Sequence, residues 1–381
     1  MGNRQSGAQN HDVTGLVNQM LSRGLAARAT DVHFEPIDDG LLVRARIDGQ
    51  LVDLELLPTS LSENVVSRLK VMASLLTYRV DIPQEGSLVW QGGSAEPAGH
   101  PVDLRVATFP TIRGERAVVR VFHGSSELRS LDTLGLHPEQ VSLIRSAVAQ
   151  PAGFIVASGP AGSGKTTTLY AMIREVRDQF AGRSVITLED PVEQRIDRIT
   201  QIQINPHGEL GYERCMRSLL RQDPQVMLLG EVRDRQTAAV AVEAALTGHL
   251  ILTTTHSGDP ADTIVRFLEM GIPAYQLTSV LTLVCSQRLL RKTCLQCSGA
   301  SSRGCEACLG TGYAGRTAVA QVARLDDPAR TLILRLATAS ELRRELKRQG
   351  PDMIDRAMTL VTSGTTDECE VGRVLGQRPS A

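Results

Sequence analysis

The run Gly159-Pro160-Ala161-Gly162-Ser163-Gly164-Lys165-Thr166 lies between an apolar stretch, Phe154 to Ser158, that reads as a strand, and a segment, Thr166 to Val176, with helical spacing. No other feature constrains the chain as much. Glycines at these spacings let backbone N–H groups turn inward around phosphate oxygens, and the following helix points its positive end at the same place. Lys165 is placed to reach the β and γ phosphates and Thr166 to hold magnesium, with Thr167 continuing the run. ATP with Mg2+ is the expected ligand. The competing reading, a glycine-rich turn without a ligand, is disfavoured by the strand before and the helix after.

Further strands are expected at Ser184 to Leu188, Val226 to Leu229 and Leu250 to Thr254, with a helix over Thr237 to Ala245. Strands that alternate with helices imply an α/β domain with a parallel sheet. The acids a phosphate loop needs near its metal and attacking water sit at the ends of neighbouring strands in such folds. One strand ends in Glu189-Asp190 and another in Gly230-Glu231. Because Gly230 stands where aspartate is usual, Glu231 is left to contact metal-bound water or act as general base. His249 and His256 bracket the strand Leu250 to Thr255, so His256 falls at its carboxyl end, where a neutral imidazole can sense a γ-phosphate. His249 is kept as a second candidate.

Upstream, Val13, Leu16, Val17, Met20 and Leu21 recur at helical spacing, extended by Leu25 and Ala29. Three strands follow, VHFEP, LLVRARI and QLVDLEL, with Asp48-Gly49 as a two-residue hairpin turn between the last two. A helix from Ser62 to about Leu76, a loop carrying Pro83 and Gly86, a second loop from Gly92 to Pro101, and the strands VDLRVATF and RAVVRVF complete a mixed domain over 12–122. Residues 123–138 read as linker, 139–292 as the ATPase core, 293–316 as a cysteine-bearing lobe, and 317–381 as a helical C-terminal region.

In that lobe Cys294, Cys297, Cys305 and Cys308 form two C-x-x-C pairs, which place four thiolates on two tight turns. A closed, structural Zn2+ site is expected, with a redox pair or disulfides as the alternatives. Cys215, Cys285 and Cys369 stand alone. The polar start, MGNRQSGAQNHD, has no apolar core of a secretory signal, so the seven cysteines are expected in a reducing compartment. Met1-Gly2 with Ser6 fits a loose acylation pattern whose bland reading is a disordered leader. A formal charge of -1 and 12 aromatic residues (Tyr 5, Phe 6, Trp 1) speak against a charge-driven or stacking nucleic-acid binder. The most apolar stretch, Thr237 to Thr255, is broken by Glu243 and His249, so no membrane span is expected.

The order of these motifs resembles the secretion ATPase superfamily, in particular the assembly ATPases of type II secretion systems and type IV pili. The resemblance rests on ASGPAGSGKTTTLY, VITLEDPVE, LLRQDPQVMLLGEVRD and LTGHLILTTTHSGDP, which correspond to its Walker A, aspartate, Walker B and histidine boxes. ATDVHFEP, VRARIDGQL and VDLRVATFPTIRGERAVVRVF resemble its N-terminal PAS-like domain, and SGTTDECEVGRVL its C-terminal end, so about 12 to 376 is covered. The resemblance implies an α/β, RecA-like P-loop motor domain behind a PAS-like α+β domain, a tetracysteine zinc lobe, and a hexameric ring with nucleotide between the two domains. Family arginines match Arg105 and Arg120 on the N-terminal strands and Arg217 and Arg221 before the Walker B strand. Arg105 alternates with apolar neighbours, and Arg116 shares a face with Arg120, so both leave the core face. Exposed strand arginines without function are the plain alternative.

The family also implies cytoplasmic location at the inner membrane through a platform-protein partner, and no direct contact with nucleic acid. Longer relatives carry an additional N-terminal region that docks on that platform, whereas about a dozen polar residues precede the first helix here. The seven-residue gap between the cysteine pairs is short, and HSGDP stands in place of HTND. A DNA-translocating or DNA-uptake ring and a non-hydrolysing nucleotide scaffold are the rival functions. The cysteine pairs speak against the pilus retraction ATPases, which lack them.

Overall fold

The computed structural model describes residues 12–91, 101–122, 129–204, 211–298 and 304–376. The acylation pattern at Gly2 and Ser6, residues 92–100 of the expected second loop, and residues 123–128 of the expected linker lie outside these. The chain divides into two compact units, Met1–Ser126 with Leu309–Thr311, and Glu127–Cys308 with Gly312–Ala381. Among the described residues no helix is long and apolar enough to cross a membrane.

In the first unit, helix α1 (Val13–Ala26) starts where the Asp12 carboxylate accepts the Gly15 N–H at 2.9 Å. Strands β1 (Asp31–Ile37), β2 (Gly40–Ile47) and β3 (Gln50–Leu57) follow, then helix α2 (Ser62–Met72) and strands β4 (Gln84–Trp90), β5 (Val102–Thr111) and β6 (Gly114–Phe122). They form an antiparallel sheet in the order β3-β2-β1-β6-β5-β4. Asp48 and Gly49 both have positive φ, 49° and 87°, as a two-residue turn between β2 and β3 demands. Val17, Met20 and Leu21 of α1 and Val65 and Leu69 of α2 share one apolar core with Phe34, Leu104, Val106 and Val119 of the sheet.

Two expectations for this unit are corrected. The segment carrying Gly86 is strand β4, not loop; a Cβ at Gly86 would come within 2.5 Å of the Ala73 carbonyl oxygen, so only glycine lets the strand run this close to the end of α2. Helix α2 stops at Met72 rather than Leu76, because Ser74 adopts φ 57° and the Leu75 N–H turns back to the Lys70 carbonyl at 2.8 Å.

The second unit begins with helix α3 (Pro138–Val148), strand β7 (Gly153–Ser158), helix α4 (Lys165–Gln179) and strands β8 (Val185–Glu189) and β9 (Thr200–Gln203). Helix α5 (Tyr212–Leu219), strand β10 (Val226–Leu229), helix α6 (Arg235–Leu246), strand β11 (Leu250–Thr255) and helices α7 (Pro260–Glu269) and α8 (Ala274–Val280) come next. A long hairpin of β12 (Leu281–Thr293) and β13 (Tyr313–Arg324) leads to helices α9 (Asp327–Leu334), α10 (Ala339–Arg348), α11 (Met353–Thr362) and α12 (Glu368–Leu375). The sheet order is β13-β12-β7-β11-β10-β8-β9, parallel except for β13. Strands β7, β10 and β11 are buried at every residue. That is why they read as unbroken apolar runs, the mark of a sheet covered on both faces.

Here too the structure departs from expectation. The chain does not turn helical at Thr317, since β13 continues to Arg324 in register with β12, and the first helix starts only where Asp326 caps it. Nor is all of 123–138 a linker: Leu131, Leu134 and Leu136 are buried in the core beneath α3 and α4.

The hairpin is anchored to the C-terminal helices by a buried carboxylate. Glu370 on α12 is fully buried and takes Nε and Nη2 of Arg291 at 2.9 and 2.7 Å, the Arg291 N–H at 3.0 Å, and Arg373 at 2.6 and 2.7 Å. The Arg291 guanidinium lies 3.9 Å from the centre of the Tyr313 ring, whose hydroxyl donates to Asp367 at 2.7 Å. Burial works against the Glu370 carboxylate, but the hydrogen bonds from Arg373 and Arg291 outweigh it and hold its pKa below the usual value. Such a carboxylate stabilises the fold above its unfolded pKa, about 4.3. That contribution is lost as pH falls through the lower folded value. Arg291→Met keeps the side-chain stem but strips the two guanidinium bonds to Glu370 Oε2, and should cost of the order of 3 kcal/mol in urea unfolding at pH 7; a loss below about 1 kcal/mol, the worth of an exposed pair, would show that Glu370 does not depend on Arg291.

Candidate nucleotide site

The loop after β7 turns through glycines with φ of 148° at Gly159, 73° at Gly162 and 85° at Gly164, and α4 begins at Lys165. Gly162 faces open space, whereas a Cβ at Gly159 or Gly164 would strike Gln287 at 2.4 and 2.8 Å. Pro160, Ala161 and Thr167 are exposed, Thr166 is half-buried, and Ser163 is buried. Lys165 is buried, and its Nζ donates to the carbonyls of Gly159 at 2.7 Å and Pro160 at 3.0 Å. Burial lowers its pKa, the Glu231 carboxylate opposes that, and the nearby Arg288 charge adds to it.

Three residues singled out in the sequence meet at the carboxyl edge of the sheet. His256 Nδ1 lies 3.5 Å from Lys165 Nζ, and its Nε2 lies 3.0 Å from Glu231 Oε1. A neutral ring protonated on Nε2 satisfies both, donating to the carboxylate and accepting from the ammonium. The other Glu231 oxygen accepts from Arg233 Nε at 2.8 Å. Next to it, glycine at 230 has a physical reason: a Cβ would meet the Tyr212 hydroxyl at 2.9 Å and the Leu188 carbonyl at 3.3 Å. Burial and the Asp190 charge push that tyrosine up to about 12.

The other predicted residues do not join this contact set. Glu189 is buried within the sheet edge, where its carboxylate accepts from Tyr170, Thr187 and Gln201, not from Lys165 or His256. His249 is at the amino end of β11, a six-residue strand or roughly 20 Å from His256. Its Nδ1 lies 2.9 Å from the Ala244 carbonyl near the end of α6, so it serves a helix terminus and the site reading is corrected. Arg217 is exposed and pairs with Glu213 one turn back at 3.2 Å, and Arg221 is exposed just beyond α5. In the first unit, Arg105 pairs with Glu85 at 3.3 Å, Arg120 with the buried Asp31 at 3.0 Å, and Arg116 with Glu35 at 2.7 Å.

The loop after His256 was not legible in the sequence beyond its departure from HTND. Asp259 caps α7 by accepting the Asp262 N–H at 2.8 Å. Arg343 of α10 bridges Asp259 and Asp262 at 2.5 and 2.8 Å, and Arg288 of β12 donates to the Gly258 carbonyl at 3.2 Å. Only the Asp-Pro helix start was available as a local signal; the arginines come from distant segments.

At the far end of the β12–β13 hairpin, the ligand atoms of Cys294, Cys297, Cys305 and Cys308 all lie within 4.8 Å of one another. Sulfur separations are 3.7 Å for Cys294 and Cys305, 3.9 Å for Cys297 and Cys308, and 3.7 Å for Cys305 and Cys308. A tetrahedron with metal–sulfur arms of about 2.3 Å has edges of about 3.8 Å, so the set fits a four-thiolate metal. Burial raises the Cys308 thiol, but N–H donation from Cys305 at 3.1 Å and Gly312 at 3.2 Å wins and brings it down to about 6. None of the four is in a disulfide.

A family model described as type II/IV secretion system protein matches residues 7–373. The type II secretion system protein HxcR of Pseudomonas aeruginosa is 36% identical over 368 residues, 95% of this chain and 77% of that protein. The type IV pilus assembly ATPase PilB of Thermus thermophilus is 35% identical over 359 residues, 88% of this chain and 40% of that protein. The solved structure of the ATPase DotB from Legionella pneumophila superposes with a TM-score of 0.72 at 21% identity, covering 93% of this chain and 94% of that one, and speaks for the fold alone. With its phosphate loop, acidic strand end and histidine joined at one sheet edge, the chain belongs to the type II/IV secretion system protein family, as an ATPase of the secretion and pilus-assembly class.

Proposed function

We propose that this ATPase works as a homo-hexameric ring, with the second unit as RecA-like motor and the first as PAS-like domain, driving pilin or pseudopilin assembly by coupling hydrolysis to domain rotation. The observation that carries this reading is the contact chain Lys165–His256–Glu231, which joins phosphate loop, strand-end acid and histidine in one hydrogen-bonded set. Residues 159–167 cradle the triphosphate, and Lys165 leaves its loop carbonyls for the β and γ oxygens. Thr166 would hold Mg2+, which would supply charge neutralisation for the triphosphate when bound. Glu231 orients or deprotonates the attacking water, and His256 reports the γ-phosphate to the loop that follows it. Glu189, with its three neutral donors, braces the sheet edge beside them. Arg105, Arg120, Arg217 and Arg221 supply positive charge to the transferring phosphoryl group when domains and neighbouring subunits close. The ring acts in the cytoplasm, held to the inner membrane by a platform protein of the assembly machine, with no direct contact with nucleic acid.

Turnover of Mg-ATP separates these roles. Lys165→Ala should lose ATP binding. Glu231→Gln should keep ATP affinity within a few-fold and lower turnover by about 100-fold or more; wild-type turnover in that variant would remove Glu231 from the chemistry. Arg120→Ala should retain ATP affinity yet lose turnover only under conditions where rings assemble. A wild-type rate per subunit that stays flat down to monomeric protein would rule out a site completed between subunits.

The four cysteines would hold Zn2+ as a structural ion that closes the hairpin tip. Metal analysis of the purified, reduced chain should find one zinc per chain. Cys305→Ser should lower that content and loosen the hairpin in hydrogen exchange. A zinc-free wild type with unchanged exchange would refute the assignment.

A further inference from the structure

Gln287 on β12 is 1% exposed and takes no part in the roles above, yet both ends of its side-chain amide are committed to the phosphate loop and its helix. Its Nε2 donates to the Ser163 carbonyl at 2.8 Å, and its Oε1 accepts from the Thr168 hydroxyl at 2.7 Å. The loop is shaped around it. A Cβ on Gly164 would lie 2.8 Å from Gln287 Nε2, and one on Gly159 would lie 2.4 Å from the Gln287 carbonyl oxygen.

The consequence follows from peptide geometry. In a trans peptide the C=O and the next N–H point in opposite directions. Holding the Ser163 carbonyl onto Gln287 therefore turns the Gly164 N–H away from β12, toward the mouth of the loop. We infer that Gln287 is a positioning residue that pre-sets the phosphate cradle, so that its N–H groups converge before nucleotide arrives. The inference rests on the reading of residues 159–166 as that cradle. It also explains why an uncharged amide is needed: one end must donate to a carbonyl while the other accepts from a hydroxyl. Methionine of similar volume offers neither, and an ionised carboxylate places an acceptor against the Ser163 carbonyl.

The test is equilibrium titration of Mg-ATP into the full chain, for wild type, Gln287→Met and Gln287→Glu, between pH 8.5 and pH 6, with melting curves to establish folding. Gln287→Met should weaken binding about tenfold, the effect of leaving a buried carbonyl unpaired. Gln287→Glu should bind poorly at pH 8.5 and approach wild type as pH falls. Its protonated carboxyl presents an O–H to Ser163 and a carbonyl to Thr168, as the amide does, and burial raises the pKa at which this occurs. A purely space-filling role would give no such pH rescue. Wild-type affinity in Gln287→Met, or a Gln287→Glu penalty that does not change with pH, would overturn the inference. A wild type that itself fails to bind Mg-ATP is a separate result, and would overturn the reading of the cradle.

Discussion

The parallel pairing of β7 with β11 on one side and β12 on the other is the constraint from which the site follows. Ser158, the last residue of β7, lies in register with Thr255 and with Ser286. The next residues along the three strands are Gly159, His256 and Gln287, so the start of the phosphate loop, the histidine and the amide that braces the loop emerge on one line. Leu229 of β10 pairs with Thr253, which brings Glu231 to the same edge two residues on. Parallel strands are what make this possible, since each delivers its carboxyl end to the same side.

Some of the polar groups buried along that line pair with one another, whereas the hydroxyls of Thr255, Ser163 and Ser257 are buried without a partner. Ser158 and Ser286 share a hydrogen bond of 2.5 Å, and Thr263 of α7 donates to Ser158 at 2.9 Å. The loop between β11 and α7 is therefore tied at its base, while Arg288 and Arg343 hold its outer part at Gly258 and Asp259. Unpaired, Ser158, Ser286 and Thr263 would cost more than these bonds return, so the bonds favour keeping the base of the loop where it is. Lys165 stands apart: desolvated and close to Arg288, its ammonium is held by two neutral carbonyls and an imidazole. An incoming polyphosphate is a better partner than any of these, which accords with the proposed role.

The β12–β13 hairpin belongs to both ends of the second unit. Midway along β12 Gln287 and Arg288 reach the glycine-lysine loop and the loop after His256, further out Arg291 is clamped by Glu370, and at the tip the four cysteines gather. A single pair of strands thus runs from phosphate loop to cysteine cage, with a buried ion pair between them.

What the sequence determined by itself was whatever depends on near neighbours. The Asp48-Gly49 turn, the glycine-lysine loop between strand and helix, the unbroken apolar strands of a parallel sheet and the paired cysteines are all local patterns, and the family was legible from their order. Tertiary structure decided which chemically similar residues share a site. His249 and His256 flank one strand, but only its carboxyl end reaches Glu231 and Lys165. Glu189 ends a strand as a phosphate-loop site requires, yet its hydrogen bonds turn it toward Tyr170, Thr187 and Gln201. Gln287 carries no motif at all. Its partners Ser163 and Thr168 lie 124 and 119 positions away, and no periodicity or spacing encodes a contact at that range; it exists only once β12 has paired beside β7.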